Sequence, residues 1–107
     1  MSFDFKITPQ AAQQVIQSAH AHEVGTMPLR IAAKKADDGS FEYGIGFDDF
    51  GPEDIKIDSE GVSLIIAAPH QSLLNHALMD YVELAPGEFA FIFLNPNDPN
   101  YVPPQAL

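Results

Sequence analysis

The 107-residue sequence contains no cysteine and no tryptophan. Because it has no thiol, the chain cannot form a disulfide, a thiolate zinc site or a cysteine nucleophile. No apolar run approaches the roughly 18–20 residues that a membrane-spanning helix needs. The first residues, Met1–Lys6, also lack the basic and apolar segments of a secretory signal. We therefore expect a cytoplasmic protein that does not enter a membrane.

Positive charge is scarce as well. Five Lys and Arg stand against fifteen Asp and Glu, which gives a net charge of −10. Proteins that bind nucleic acid gain much of their affinity from Lys and Arg contacts to phosphate, so direct nucleic-acid binding is not expected. Anionic membranes would repel this chain for the same reason. The partners that its charge favours are other proteins with basic surfaces.

What is present is typical of one folded domain. The chain is 46% hydrophobic and carries eight Phe and three Tyr, enough apolar surface for a core at this length. Thr8 followed by Pro9 predicts a helix start, and apolar residues at helical spacing extend the helix to about Glu23. We place the domain at residues 1–97 and expect 98–107, which is rich in proline, to be a flexible tail.

Period-two alternation then predicts strands. Apolar side chains alternate over 29–34 and 41–47, on either side of an Asp-Gly turn, and this pattern is typical of a hairpin. Further strands are predicted at 54–58, 62–67, 79–84 and 88–94, with a short helix from Pro69 to Leu78. The last strand is apolar on both sides, so we expect both of its faces to be covered. The predicted fold class is mainly β with two helices (α+β by content), with two mixed or antiparallel sheets in a pseudo-barrel or sandwich.

The order of these elements resembles the HesB/IscA family of A-type iron–sulfur carriers. Local sequence supports the resemblance at several places in order along the chain, which are Ile7-Thr8-Pro9-Gln10-Ala11-Ala12, Leu29-Arg30-Ile31, Asp54-Ile55-Lys56-Ile57, Leu78-Met79-Asp80-Tyr81-Val82 and Phe91-Ile92-Phe93-Leu94-Asn95-Pro96-Asn97. The sequence is most similar to the cysteine-free DsrR-type members, which are associated with dissimilatory sulfur oxidation.

The resemblance also implies where the family's ligands would lie. The family carries one Cys on the first hairpin turn and a Cys-Gly-Cys near the C-terminus. These three thiol positions correspond to Asp38, Val102 and Pro104, so a cluster held by this chain's own thiolates is impossible. The resemblance therefore predicts a non-enzymatic accessory or regulatory interaction protein in sulfur oxidation, a monomer without cofactor. The alternative is a protein of iron–sulfur cluster assembly, or an iron carrier, that uses non-cysteine or partner-supplied ligands.

Other groups of polar and charged residues in the sequence are further candidate sites. We predict an acidic interaction surface formed by Asp37, Asp38, Asp48, Asp49, Glu53 and Asp54, whose order does not fit a calcium loop. The spacing of His20 and His22, and of His70 and His76, does not place either pair on one helix face, so no metal site is predicted. Ser72, His76 and Asp80 are spaced by four, but one short helix cannot build a catalytic triad, and no enzyme activity is predicted.

Overall fold

The computed structural model describes residues 3–99. The predicted tail therefore lies outside the described residues, except for Asp98 and Pro99. The helices and strands follow in the order β1 Phe5–Ile7, α1 Pro9–Ala21, β2 Leu29–Lys35, β3 Phe41–Phe47, β4 Asp54–Ser59, β5 Val62–Ala67, α2 Ala68–Leu74, β6 Ala77–Ala85 and β7 Glu88–Leu94.

The strands form two sheets. One has the order β1-β6-β7, with β1 parallel and β7 antiparallel to β6. The other has the order β3-β2-β5-β4, with a parallel β2–β5 pair at its centre. Within residues 3–99 the sheets do not close into a barrel. The predicted class, two helices and two mixed sheets in a sandwich-like arrangement, is confirmed.

One hydrophobic core lies between these layers. Alternate residues of β2 and β5 point into it, and α1 contributes its small residues Ala11, Ala12 and Val15. The aromatic side chains Phe91 and Phe93 of β7 pack against this core from the smaller sheet. Neither helix within residues 3–99 combines the length and the apolar character required to cross a membrane.

The structure corrects three expectations. Strand β1 was not predicted, because its three residues are too few for a pattern. Helix α2 ends at Leu74 and not at Leu78, since His76 takes a left-handed backbone (φ 68°) before β6 begins. The last strand is not fully covered on both faces, because it lies at a sheet edge and its Ile92 and Leu94 remain half-buried.

Helix α1 is fixed at its start by Thr8. The hydroxyl of Thr8 accepts a hydrogen bond from the amide of Ala11 (3.1 Å) and donates one to Asp80 Oδ1 (2.6 Å). Its backbone amide donates to the carbonyl of Met79 (3.0 Å). This one residue therefore caps the helix and joins it to β6.

We expect Thr8→Ala to lower the free energy of unfolding by about 1–2 kcal/mol, because an N-cap hydrogen bond and a bond to a charged group are both lost. Urea denaturation followed by circular dichroism measures the change. Thr8→Ser retains the hydroxyl and serves as the matched control, with a much smaller loss expected. Equal midpoints for Thr8→Ala and the unaltered chain would contradict this role.

Candidate functional site

The turn between β2 and β3 carries Asp38, the first of the three positions that the sequence predicted as ligand positions. Asp38 Oδ1 accepts hydrogen bonds from the amide of Ser40 (2.9 Å) and from its hydroxyl (2.6 Å). The turn is closed by Gly39, which adopts φ 88° and donates its amide to Ala36 (2.9 Å). The Ser40 hydrogen bonds lower the pKa of Asp38, so the carboxylate is charged at neutral pH. The Asp38 carboxylate thus already stabilises its own turn.

The segment after β7 is anchored to the end of helix α2. The side-chain amide of Asn95 is fully buried and donates to the carbonyl of Leu73 (2.7 Å). Asn97 Nδ2 donates to the carbonyl of Asn75 (2.8 Å) and also to that of Leu73 (3.2 Å). These bonds satisfy carbonyls that a helix end leaves without partners. The Asn95–Asn97 turn is therefore held in one place.

Tyr43 joins this turn to the β2–β3 hairpin. Its hydroxyl donates to Asp98 Oδ2 (2.8 Å), and its ring stacks on Phe93 with centroids 4.2 Å apart. Burial, followed by the hydrogen bond to Asp98, raises the pKa of Tyr43, so the phenol stays protonated as a donor. The described chain therefore ends beside the hairpin whose turn carries Asp38. Val102 and Pro104, the other two predicted ligand positions, lie outside the described residues.

Arg30 organises the acidic loop between β3 and β4. Its guanidinium bonds Asp54 through both terminal nitrogens (2.7 Å each), Asp48 through Nε (2.7 Å) and the carbonyl of Asp49 (3.1 Å). The Asp54 side chain is only 3% exposed. Hydrogen bonds from Arg30 lower the pKa of both Asp48 and Asp54. Two carboxylates of the predicted acidic surface thus form ion pairs with Arg30 of the same chain.

The predicted acidic surface is not continuous. Asp37 and Asp38 lie at the turn that precedes β3, whereas Asp49 and Glu53 lie in the loop that follows it. A strand of this length separates its two ends by about 20 Å. Because Asp54 is buried against Arg30, the structure leaves two separate acidic patches, with Asp37 and Asp38 at one end and Asp48, Asp49 and Glu53 at the other.

The histidines are dispersed. His70 Nδ1 lies 2.7 Å from the carbonyl of Ala33, and His76 lies 3.5 Å from Asp4 on the surface. His20 and His22 are at the end of α1. Residues 3–99 contain no group of three or more His, Asp or Glu side chains that could hold a metal ion.

The regular spacing of Ser72, His76 and Asp80 in the sequence does not correspond to one helix face in the structure. Ser72 lies in α2, His76 in the following loop and Asp80 in β6, so they do not share one helix face. Asp80 Oδ1 instead accepts the Thr8 hydroxyl and the amide of Tyr81 (2.8 Å). Asp80 therefore has a structural role.

The relatives of known name are iron–sulfur proteins. The chain is 32% identical over 98 residues to the iron-sulfur cluster insertion protein ErpA of Proteus mirabilis, which covers 91% of this chain and 85% of that protein. It is 31% identical over 93 residues to ErpA of Pseudomonas syringae pv. tomato, covering 86% and 79%. No family model matches the chain.

Solved structures agree with this relationship. IscA with its 2Fe–2S cluster superposes with a TM-score of 0.72 at 29% identity, covering 87% of this chain and 86% of IscA. SufA of Escherichia coli, at 19% identity and a TM-score of 0.74, shares the fold over 91% of each chain. The chain belongs to the HesB/IscA/ErpA-like family of A-type iron–sulfur carriers. Its named relatives are iron-sulfur cluster insertion proteins.

The Arg30 ion pairs predict a pH-dependent stability. We expect Arg30→Met to lower the urea midpoint at pH 7, because the nearly buried carboxylate of Asp54 would lose its cationic partner and retain the hydrogen bond from the Gly51 amide (2.6 Å). Lys34→Met, which removes the exposed Lys34–Glu42 pair (3.9 Å) from the same strand, is the control and should change the midpoint little.

The sign of the pH effect follows from the lowered carboxyl pKa values. A depressed carboxyl pKa stabilises the folded state above the unfolded pKa of about 3.9, and this stabilisation is lost as the pH falls through the folded pKa. The difference in urea midpoint between Arg30→Met and the unaltered chain should therefore be largest at pH 7. It should become smaller below about pH 4. A difference that stays constant down to that range would contradict the assignment.

Proposed function

We propose that this chain acts in iron–sulfur cluster assembly or insertion by binding a partner protein, and that the partner supplies the ligands for any iron or cluster in the complex. The observation that carries the proposal is a carrier-family fold in a sequence with no cysteine. Thiolates are the usual ligands of such clusters, and this chain has none to offer. A non-enzymatic role is part of the proposal.

The hairpin and the Asn95–Asn97 turn support this proposal. The turn at Asp38 is closed by its own hydrogen bonds, and the chain leaves Asp98 beside Tyr43 of the same hairpin. Hydrogen bonds among the described residues therefore hold the Asp38 turn and the segment that follows β7. A rigid surface of this kind binds a partner at a small entropic cost.

Charge indicates what kind of partner to expect. With a net charge of −10, the chain attracts proteins with basic surfaces and repels phosphate-rich polymers. The exposed carboxylates Asp37 and Asp38 at the hairpin, and Asp49 and Glu53 in the acidic loop, are the proposed points of attraction. We further propose a cytoplasmic monomer, since like charges oppose self-association.

Affinity purification of the tagged chain from its native cells tests the proposal. Iron, acid-labile sulfide and the visible spectrum are measured for the chain alone and for the complex that it forms. We expect no stable sulfide-to-iron absorption on the chain alone. We expect such absorption in the complex, and its loss when the partner's ligand cysteines are changed to Ser. A stable chromophore on the isolated chain would overturn the proposal.

A second candidate is an accessory or regulatory protein without any iron, acting in sulfur oxidation as the DsrR-type resemblance implies. The absence of all thiols favours it. It predicts a captured complex that contains neither iron nor sulfide. A third outcome, about one iron bound by the chain alone and lost in Asp38→Ala, would instead identify Asp38 as an iron ligand.

Restoring the thiols tests the correspondence of the ligand positions. We expect the combined variant Asp38→Cys, Val102→Cys, Pro104→Cys to take up iron and sulfide on reconstitution, because three thiolates would then be available on this scaffold. The single variant Asp38→Cys is the control and should not hold a stable cluster. If the triple variant folds and remains colourless, the assignment of Val102 and Pro104 is wrong.

A further inference from the structure

A groove of about 660 Å³ lies between α1, the segment that follows it and the β4–β5 turn. Helix α1 contributes Val15 and Ile16, and the opposite side contributes Met27, Phe47 and Val62. Val15 and Val62 are buried, whereas Ile16 is 53% exposed. The groove therefore offers an accessible apolar surface next to the core, at the end of β3 that lies away from the Asp38 turn.

Carboxylates surround the apolar lining. Glu23 lines the groove, and Glu60 immediately precedes Gly61, another lining residue. Asp58 accepts a hydrogen bond from the hydroxyl of the lining residue Ser63 (3.0 Å). Glu23, Asp58 and Glu60 are all exposed. No Lys or Arg lines the groove as described, so its rim is negative at neutral pH.

Tight turns hold the two acidic sides of the groove. Glu23 and Glu60 adopt left-handed backbone conformations, with φ of 56° and 52°. The helix end at Glu23 is closed by hydrogen bonds from its amide to His20 (3.2 Å) and from the amide of Val24 to Ala19 (3.1 Å). Glu60 and Gly61 form the two-residue link between β4 and β5, a connection that favours positive φ at both positions. The sides are thus formed by the backbone and do not depend on side-chain rearrangement.

We propose that this groove docks a segment of a partner protein that carries apolar side chains flanked by Lys or Arg. The apolar side chains would pack against Ile16, Met27 and Phe47, and the basic residues would lie beside Glu23 and Glu60. This inference rests on the proposed function, because it names a surface through which the partner binds. Buried apolar anchors with complementary charges at the rim are the usual arrangement of such contacts.

Two observations favour a protein segment over other occupants. Small-molecule sites usually enclose about 70–90% of the ligand's surface, whereas Ile16, His20, Thr26 and Gly61 leave this groove open to solvent. A second copy of the chain would bring another net charge of −10 to an acidic rim, so charge opposes it.

The test places a photo-crosslinking phenylalanine derivative at position 16 of the tagged full chain, with position 84 as the control. Leu84 is 65% exposed and lies on β6, outside the groove. After irradiation in native cells, the crosslinked peptide is identified by mass spectrometry. We expect an adduct from position 16, and not from position 84, with a partner peptide that has Lys or Arg next to apolar residues.

Charge reversal provides the second measurement. Glu23→Lys combined with Glu60→Lys should lower the adduct yield by about fivefold or more, since basic residues would then be repelled. Glu42→Lys combined with Glu88→Lys changes the net charge by the same amount, at exposed residues away from the groove. This control should change the adduct yield by less than about twofold. Circular dichroism and the urea midpoint verify that each variant is folded. If the substitution at position 16 unfolds the chain, the exposed lining residue Thr26 replaces it.

Several outcomes would overturn the inference. They are equal yields from positions 16 and 84, an unchanged yield after charge reversal, and an adduct with a second copy, with residues 100–107 of the same chain or with a small molecule. If purification recovers cluster-assembly proteins but position 16 gives no adduct, only the groove assignment fails. If purification recovers no such protein, the proposed function fails, and this inference falls with it.

Discussion

The side chain of Asn95 joins the two sheets to each other, and the position of the Asn95–Asn97 turn depends on it. Asn95 follows β7 of the smaller sheet, yet its amide donates to Leu73 of α2 and to the hydroxyl of Tyr43 in the larger sheet (2.7 and 3.3 Å). The side-chain oxygen Oδ1 of Asn95 accepts a hydrogen bond from the backbone amide of Asn97 (3.0 Å). An amide this deeply buried must be fully bonded, because each unsatisfied polar group costs about 1–3 kcal/mol. The side chain therefore fits only when both sheets and α2 are in place.

This arrangement explains how a fold of the carrier family can form in a chain without thiolate ligands for a cluster. Small metal domains that fold only around their metal derive their folding free energy from coordination. Here the core is formed by packed apolar side chains, and the ends of α2 and β7 are joined by Asn95 and Asn97. At the hairpin turn, the Asp38 carboxylate bonds Ser40. A chain without thiols therefore lacks the usual cluster ligands but keeps the contacts that hold this fold.

Local patterns in the sequence predicted most of the strands. The alternation around Asp37-Asp38-Gly39-Ser40 located β2 and β3 correctly, because turn chemistry and side-chain period act over a few residues. The three residues of β1 carry no such pattern, since they are a strand only through parallel pairing with β6. The end of α2 was misplaced because it is set by contacts from distant residues, with Asn75 accepting the amide of Asp4 (2.9 Å).

Less of the candidate site than of the fold could be predicted from the sequence. The run of acidic residues after β3 indicated exposed charge, but it could not reveal that Arg30, 24 residues before Asp54, bonds two of the carboxylates. The groove between α1 and the β4–β5 turn has no motif, because its sides come from segments far apart in the chain. The sequence also could not predict the positive φ of Glu23 and Glu60, since Glu is not typical of that conformation. The Asn-Pro-Asn segment was the one available signal. It indicated the family, but it did not indicate the hydrogen bonds that the segment itself forms.

Charge and shape would have separate roles in the proposed interaction surface. The chain has one Arg, and this residue is committed to Asp48 and Asp54 within the fold. Most of the other carboxylates stay on the surface, and together they produce a negative field that draws basic partners from any direction. Such a field raises association rates but selects poorly among basic proteins. Selection requires apolar contact in a fixed shape, which the groove at Ile16 offers beside Glu23 and Glu60. A scaffold without ligands of its own can therefore still discriminate, provided that its partner presents basic and apolar residues together.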